Sequence, residues 1–229
     1  MYGHGGISAI GRVLSSDARA TMLDALMDGA EHPVTELALR AGVAPSTATA
    51  HVATLADAGL VDVRRNGRQR RVRLSGPEVA RALEGLAAIA APSMDVHSLS
   101  EATARDQLAA ARTCYDHLAG RLGVAVTEGL VRRGVVVAQG AAFVISDIAR
   151  DVLGPIGIDF EAVVGGRRSP VLGCIDWTEG QPHVAGALGA AVCALLLRAG
   201  AIRRRRGTRA VVLTEPGAAF LVEHLGVNA

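Results

Sequence analysis

The sequence predicts a mainly α-helical fold with small β-hairpins, of the α+β class and in two domains. Between residues 34 and 74 the apolar spacing changes from the three-and-four period of helices to the alternation of strands. Beyond residue 100, a segment of the chain is repeated in weakened form. A chain of 229 residues that is 50% apolar is long enough to bury two small cores.

The first half contains a predicted helix, a tight turn and a second helix. Thr35 is expected to cap the first helix, and Gly42 is expected to end it in the left-handed conformation. The second helix is expected to begin at Pro45, because proline at a first helical position loses no helical hydrogen bond. Its spacing turns three apolar residues inward: Ala48, Val52 and Leu55. The outward face is small and polar and consists of Pro45, Ser46, Thr47, Thr49, Ala50 and His51.

A two-stranded hairpin is predicted next, with Asn66-Gly67 as its turn. Its inward positions are Val61, Val63, Val72 and Leu74. Its outward positions near the tip are arginines: Arg64, Arg65, Arg68, Arg70 and Arg71. A small polar helix face fits the major groove, and arginines on a hairpin fit phosphates or a minor groove. The segment therefore predicts binding to double-stranded DNA, with His51 as either a base or phosphate contact or an idle surface residue.

Residues 10–86 resemble the bacterial ArsR/SmtB-type winged-helix repressors. IGRVLSSDARATMLDALMDG matches their leading helices, and APSTATAHVATLADAGLV matches their recognition helix. The resemblance implies a winged helix-turn-helix, and a homodimer that represses transcription at an inverted-repeat operator until a metal or other effector binds. The chain departs from the family at both usual metal sites, since ELALRAG carries no thiol and EVARALEGLAAIAA carries no His/Asp pair. Ala44 stands where many relatives have a capping Ser.

Composition limits the function classes. The net charge is only +2, so DNA binding must come from local clustering of the 24 basic residues, all of them arginine. The three cysteines and the absence of a charged and then apolar leader in MYGHGGISAIGR predict a cytoplasmic protein. The longest apolar stretch, Val184–Leu197, is too short to span a bilayer, so no membrane segment is expected.

The predicted domains are residues 1–92, which bind DNA, and residues 100–229, which sense an effector, stabilise the dimer, or do both. A helix is expected over Glu78–Ala91, and another, bridging the two halves, over Glu101–Tyr115. The internal duplication is predicted over 114–159 and 174–227, as two degenerate winged-helix-like repeats about a pseudo-twofold. Long members of the same regulator family resemble the chain here too, through CYDHLAGRLG and the later C-x-DW segment. This resemblance names no effector.

The duplication places a Cys and a His at matching positions in each repeat: Cys114, His117, Cys174 and His183. These are ligand types of zinc and other thiophilic divalent metals. The alternatives are simple packing, with Cys114 and His117 one helical turn apart, or a thiol-based response that includes Cys193. Trp177 and Glu179 either pack over the repeat interface or line an effector pocket.

The sequence thus predicts a homodimeric DNA-binding repressor released by an effector, and not an enzyme. One alternative is a catalytic C-terminal domain fused to a DNA-binding head. Against it, the chain has no GxSxG, no phosphate-binding glycine loop and no HExxH. Another alternative is an architectural DNA binder without an effector. The run Arg203–Arg206 is either a second phosphate-binding wing or a solvated turn.

Overall fold

The computed structural model describes residues 4–67, 69–90 and 98–228. The chain divides into two compact units, Met1–Ala80 and Arg81–Ala229. Two predicted features lie outside the described residues, the wing residue Arg68 and the connector after the fifth helix. The division falls within that helix, whereas the sequence placed the boundary after it.

The first unit has the predicted order of helix, turn, helix and hairpin. Its elements are α1 (His4–Leu14), α2 (Asp17–Leu26), β1 (His32–Pro33), α3 (Val34–Arg40), α4 (Pro45–Asp57), β2 (Val61–Asn66), β3 (Gln69–Leu74) and the start of α5 (Pro77–Ala90). The strands form an antiparallel sheet in the order β1-β3-β2. A strand of two residues shows no alternation, and for this reason β1 was not predicted.

The ends of α3 and α4 follow local rules, with one correction. Pro33 is the N-cap of α3, so Thr35 lies inside the first turn and the prediction that it caps the helix is wrong. Gly42 has φ 64°, as expected for the residue that ends α3. Helix α4 begins at Pro45, and its N-cap, Ala44, makes no side-chain hydrogen bond. Its inward residues Ala48, Val52 and Leu55 are fully buried.

The wing hairpin, β2–β3, turns one residue later than predicted. Asn66 pairs with Gln69, so Asn66 belongs to β2 and the turn is not Asn66-Gly67. Gly67 has φ 60°, as tight hairpin loops require. The predicted inward residues pair across the strands, Val61 with Leu74 and Val63 with Val72, and this register sets which arginines point outward.

The second unit alternates helices with two-stranded hairpins, all antiparallel. Its elements after α5 are α6 (Leu99–Ala110), β4 (Arg112–Cys114), β5 (His117–Ala119), α7 (Gly120–Arg132), β6 (Val136–Gln139), β7 (Ala142–Ile145), α8 (Ala149–Leu153), α9 (Phe160–Val164), β8 (Leu172–Ile175), β9 (Pro182–Ala185), α10 (Gly186–Arg198), β10 (Ile202–Arg204), β11 (Val211–Leu213) and α11 (Glu215–Leu225). The largest fully buried residues of its core include Leu130 on α7 and Leu188 on α10.

Each predicted repeat contains the expected helix, hairpin and helix, namely α7, β6–β7 and α8, then α10, β10–β11 and α11. A further hairpin precedes each series, and the sequence did not predict it. The helix predicted over Glu101–Tyr115 is wrong beyond Ala110, since β4 begins at Arg112. All six residues of β4 and β5 are buried, so the segment shows no alternation that would distinguish a strand from a helix. No helix within the described ranges is long and apolar enough to cross a membrane.

Candidate DNA-binding surface and a buried cysteine–histidine cluster

The outward face of α4 is exposed at the start of the helix. Pro45, Ser46, Thr47 and Ala50 are exposed, and Thr49 is half-buried. The Thr49 hydroxyl donates to the Pro45 carbonyl at 2.9 Å. Ser46 and Thr47 therefore present the exposed hydroxyls beside the backbone N–H groups of the first turn, an arrangement suited to phosphates and base edges.

His51 is held in place by a neighbouring helix. It is half-buried, and its Nδ1 lies 3.3 Å from a guanidinium nitrogen of Arg19 on α2. Arg19 also donates to the backbone carbonyls of Val13 and Arg12 at the end of α1. The sequence placed His51 on an open outward face and missed Arg19, which contacts it across 32 residues of chain.

The wing arginines fall into two groups. Arg64, Arg65 and Arg70 are exposed, whereas Arg71 is half-buried and donates to the Glu31 carbonyl at 3.2 Å. Arg71 is partly covered because β1 pairs with β3 at this position, through Pro33. The prediction that all the arginines lie outward therefore does not hold for Arg71. Arg64 lies 3.9 Å from the Glu31 carboxylate but keeps most of its surface in solvent.

The sequence did not indicate a structural role for His32, which is buried at the start of the sheet. Its ring nitrogens lie 2.9 Å from Asp28 and 3.0 Å from Glu36. The hydrogen bond with Asp28 raises the pKa of His32, although burial opposes the shift. Asp28 follows the end of α2 and His32 begins β1, so their contact holds α2 against the sheet. Because α4 packs on α2, this contact also stabilises the position of α4.

In the second unit, four buried side chains converge, and we call them the Cys/His cluster: Cys114, His117, Cys174 and His183. One possible ligand atom from each lies within 4.8 Å of those of the other three. The two sulfur atoms are 4.0 Å apart, and the two imidazole centroids are 5.1 Å apart. The four residues that the duplication placed at matching positions therefore meet in space.

Both halves of the cluster use the same local structure. Cys114 pairs with His117 across β4–β5, and Cys174 pairs with His183 across β8–β9. The interpretation that Cys114 and His117 lie one turn apart on a helix is therefore wrong. Tyr115, with φ 63°, allows the two-residue turn that reverses the chain between them.

Each hairpin is fixed against the helix that follows it. Gly123 on α7 lies so close to the Leu118 carbonyl that a Cβ would stand 2.5 Å from the oxygen. Gly189 on α10 approaches the Val184 carbonyl in the same way, at 2.5 Å, and its Cβ would also lie 3.1 Å from that of His117. These close approaches set the orientation of the strands that carry the histidines.

An aspartate accompanies each histidine of the cluster. Nδ1 of His117 lies 3.4 Å from Asp116, and Nδ1 of His183 lies 3.5 Å from Asp176. Nε2 of both rings is buried and has no hydrogen-bond partner. Nδ1 of His183 also has no hydrogen-bond partner, because its 3.5 Å contact with Asp176 is not a hydrogen bond.

The two thiols of the cluster differ in acidity. Their contact lowers the pKa of Cys174 and raises that of Cys114, because one thiol can donate to the thiolate of the other. Proximity to the two imidazoles also favours the Cys174 thiolate. Cys193, by contrast, lies outside the cluster, and burial raises its pKa to about 11. Cys193 is thus a core residue of the apolar helix α10.

A buried network of charges adjoins the cluster, and no local pattern in the sequence indicates it. Arg112 is fully buried and donates to Asp176 at 3.1 Å and to Glu84 of α5 at 3.4 Å. Arg209 donates to the other oxygen of Glu84 at 2.5 Å. Burial raises the pKa of Asp176, but Arg112 and hydrogen bonds from Thr178 and the Gly120 N–H outweigh it and bring it to about 2.

The predicted effector pocket at Trp177 and Glu179 remains a prediction. Trp177 stacks on Arg112, with the guanidinium carbon 4.9 Å from the ring centroid, and both residues are half-buried or buried. The Glu179 N–H donates to Asp176. A cavity of about 540 Å³ opens elsewhere in the second unit, and its lining includes Gln107, Arg121 and Val211 but neither Trp177 nor Glu179. The four arginines of Arg203–Arg206 are exposed.

Comparisons with known proteins agree with this architecture. A family profile described as a helix-turn-helix domain matches residues 14–64. The chain is 38% identical over 222 residues to the uncharacterized HTH-type transcriptional regulator YdfF of Bacillus subtilis, covering 97% of this chain and 98% of that protein. It is 34% identical over 98 residues to the HTH-type transcriptional regulator Rv0324 of Mycobacterium tuberculosis, covering 39% of this chain and 43% of that protein.

Among solved structures, the chain is similar to the homodimeric winged helix-turn-helix DNA-binding domain of a possible ArsR-family transcriptional regulator from Mycobacterium bovis. The identity is 29%, the match covers 41% of this chain and 86% of that chain, and the TM-score is 0.37. The match to YdfF extends over both units, so the relationship is not confined to the helix-turn-helix. The chain belongs to the helix-turn-helix (HTH-type) transcriptional regulators.

Proposed function

We propose that this regulator is a homodimeric repressor that binds an inverted-repeat operator and leaves it when an effector binds the second unit. The observation that carries the proposal is the surface of the first unit. There the exposed start of α4 carries small hydroxyl side chains, and the exposed arginines lie on a hairpin.

In this proposal α4 enters the major groove. Ser46, Thr47 and Ala50 are small enough to let the helix approach the bases, and the inward face of α4 is anchored in the core. His51 reaches a base or a phosphate from a position fixed by Arg19. Arg65 and Arg70 form a cross-strand pair on the wing and contact phosphates or the minor groove.

Two helices support the dimer. Ile7 on α1 and Ile89 on α5 are each 80% exposed, and Leu86 on α5 is 49% exposed. Large apolar side chains that lie in solvent favour association, because a second copy of the chain would bury them. A twofold dimer would present two copies of α4, so the operator should be an inverted repeat. Repression is implied by the family resemblance, since a dimer seated on a promoter excludes polymerase.

The DNA test is footprinting on the promoter upstream of the protein's own gene. We expect protection of an inverted repeat, and a binding constant that falls steeply with salt. Thr47→Ala should reduce the preference for the operator over random duplex by roughly 1–3 kcal/mol if it contacts a base. Equal binding to operator and random duplex by the unaltered protein would overturn sequence-specific regulation.

The dimer test is sedimentation without DNA. We expect twice the chain mass of 23.5 kDa. Ile7→Asp combined with Ile89→Asp should yield a monomer that binds operator DNA weakly. The matched control is Leu39→Asp on α3, which is 82% exposed and lies outside the proposed interface. A monomeric unaltered chain at micromolar concentration would overturn the twofold model.

The sign of regulation is tested by transcription, and the dependence on an effector is tested by operator binding. Run-off transcription from the protected promoter should fall when the protein is added. A protein that holds its operator equally well with metals, chelator, thiol reagents and small organic molecules would instead be an architectural binder without an effector.

A further inference from the structure

We propose that the Cys/His cluster is a closed site for one thiophilic divalent cation of the Zn²⁺ class, which joins the hairpins β4–β5 and β8–β9. The inference concerns the second unit alone and does not depend on the proposed mode of DNA binding. Its ligands are two sulfurs and two imidazole nitrogens, a donor set typical of tetrahedral zinc sites.

The distances fit such an ion. Zn–S bonds of about 2.3 Å in a tetrahedron place two sulfurs about 3.8 Å apart. The observed separation of Cys114 and Cys174 is 4.0 Å, which also excludes a disulfide in this structure. The 4.8 Å limit on all ligand atoms leaves only small movements to close the site.

Unpartnered imidazole nitrogens give independent support. His117 is 3% exposed and His183 is fully buried, yet Nε2 of each ring has no hydrogen-bond partner. Buried polar atoms without a hydrogen bond are rare and destabilising, so unpartnered nitrogens beside a pair of thiols need an explanation. Nδ1 of His183 is unpartnered as well, so a cation bound at one nitrogen of each ring would satisfy two of the three unpartnered nitrogens.

Two aspartates lie beside the histidines of the cluster. A histidine that binds a metal usually donates its other ring N–H to a carboxylate, a backbone carbonyl or water. Asp116 takes this position as the hydrogen-bond partner of His117 Nδ1, and Asp176 lies 3.5 Å from His183 Nδ1 without a hydrogen bond. Each lies two residues after a cluster cysteine. Cys-x-Asp followed by His thus supplies a ligand, an orienting carboxylate and a second ligand, and the chain contains this set twice.

Binding forms two metal–sulfur and two metal–nitrogen bonds, the hydrated ion loses its water ligands, and any proton still on a ligating thiol goes to solvent. All four ligands come from the protein and all are buried, so no position is left open for substrate. The arrangement favours a structural or regulatory ion over a catalytic one.

The site has a direct connection to α5. Arg112 lies two residues before Cys114, Asp176 lies two residues after Cys174, and Arg112 bridges Asp176 to Glu84 of α5. Helix α5 begins at Pro77, just after the wing strand β3 ends at Leu74. We therefore expect the ion to influence operator affinity by fixing the residues that hold Glu84, a consequence that rests on the proposed function.

The deciding experiment is anaerobic titration of the full-length, metal-depleted protein with Co²⁺, followed by displacement with Zn²⁺. We expect one Co²⁺ per chain, with intense thiolate charge-transfer bands and the d–d bands of tetrahedral coordination. Cys174→Ala removes one of the two thiolate ligands, so it should weaken the charge-transfer bands and lower the affinity for Co²⁺ by at least the roughly 10- to 100-fold typical of outer-shell substitutions. Cys193→Ala is the matched control, since Cys193 is equally buried but outside the cluster, and it should bind Co²⁺ like the unaltered chain.

If Cys174→Ala does not fold, the spectrum of the unaltered protein still decides, because only thiolate ligation gives the charge-transfer bands. A folded, reduced, metal-depleted chain that takes up no Co²⁺ overturns the proposal, as does a Cys174→Ala variant with an unchanged spectrum. Operator affinity is measured separately with and without Zn²⁺, and a change of roughly 5- to 150-fold is expected. Stoichiometric binding with unchanged operator affinity would overturn the coupling to α5 but not the site, and failure to bind the operator both with and without Zn²⁺ would overturn the proposed function alone.

Discussion

The wing hairpin β2–β3 and the hairpins β4–β5 and β8–β9 are built alike, as short antiparallel pairs, but their side chains meet opposite surroundings. On the wing, Arg65 and Arg70 pair across the strands in solvent. In the second unit, Cys114 and His117 pair across the strands in a region closed to solvent. A short antiparallel hairpin therefore exposes charged side chains to solvent in the first unit and buries thiol and imidazole groups in the second.

This difference has an energetic consequence. Exposed arginines are stabilised by water and act through a salt-dependent attraction to other charges. Buried polar groups must be satisfied within the protein, as Arg112 is by Asp176 and Glu84. Substitutions in the buried hairpins should therefore change stability most, and substitutions on the wing should change DNA binding with little effect on stability.

The largest effect is expected from Arg112→Met. The change removes the cation between Glu84 and Asp176 and should lower the free energy of unfolding of the second unit by about 3–5 kcal/mol, since buried carboxylates lose their partner. Unfolding in urea, followed by the fluorescence of Trp177, the only tryptophan, measures it. Arg121→Met, at an exposed position of α7, should change the midpoint little. Equal midpoints for the two variants would show that the buried network does not stabilise the unit.

A smaller loss is expected from Gly189→Ala. The new Cβ would lie 2.5 Å from the Val184 carbonyl oxygen and 3.1 Å from the Cβ of His117, so the hairpin must move. Overpacking of this kind costs about 1–3 kcal/mol. Gly85→Ala on α5 meets nothing within 4 Å and should be neutral or stabilising by about 0.5–1 kcal/mol, because glycine weakens a helix. Thermal unfolding compares the two, and an unchanged Gly189→Ala would contradict the tight packing.

On the wing, Arg65→Ala and Arg70→Ala should leave the unfolding midpoint unchanged and weaken binding to all duplexes. Removing one arginine–phosphate interaction should reduce the slope of log K against log salt by about 0.9. Fluorescence anisotropy at several salt concentrations measures the slope. Arg71→Ala gives the contrast, because Arg71 donates to the Glu31 carbonyl and should affect stability more than the slope. Unchanged slopes for Arg65→Ala and Arg70→Ala would remove the hairpin from the DNA interface.

The smallest effect concerns the pH dependence of the first unit. The pKa of His32 is raised in the folded state, so protonated His32 contributes stability that is full below its unfolded pKa of about 6.5 and is lost as pH rises through the folded pKa. The stability advantage of the unaltered protein over His32→Gln should therefore shrink as the pH rises above about 6.5. Amide hydrogen exchange in α3 follows the first unit selectively. His224→Gln on α11 serves as the control, and a constant advantage across this range would exclude protonation as its source.

Local signals in the chain were sufficient to predict the architecture of the first unit. Proline at a helix start, glycine at a helix end and alternating valines each constrain the backbone where they stand. They placed the start of α4 at Pro45, its buried face and three exposed wing arginines, Arg64, Arg65 and Arg70, correctly, but not Arg71. The turn was displaced by one residue, because Asn66-Gly67 fits the loop preference but the strand pairing continues through Asn66.

The second unit, by contrast, depends on packing that the sequence does not reveal. Its first hairpin is buried on both faces, so its sequence lacks the periodicity that separates strand from helix, and Cys114 and His117 were assigned to a helix. The duplication correctly indicated which residues meet, but not that their partners would be Asp116 and Asp176, nor that Glu84 would join Arg112 from a distant helix. Interactions between residues far apart in the chain depend on how the elements pack, and local conformational preferences do not determine that packing.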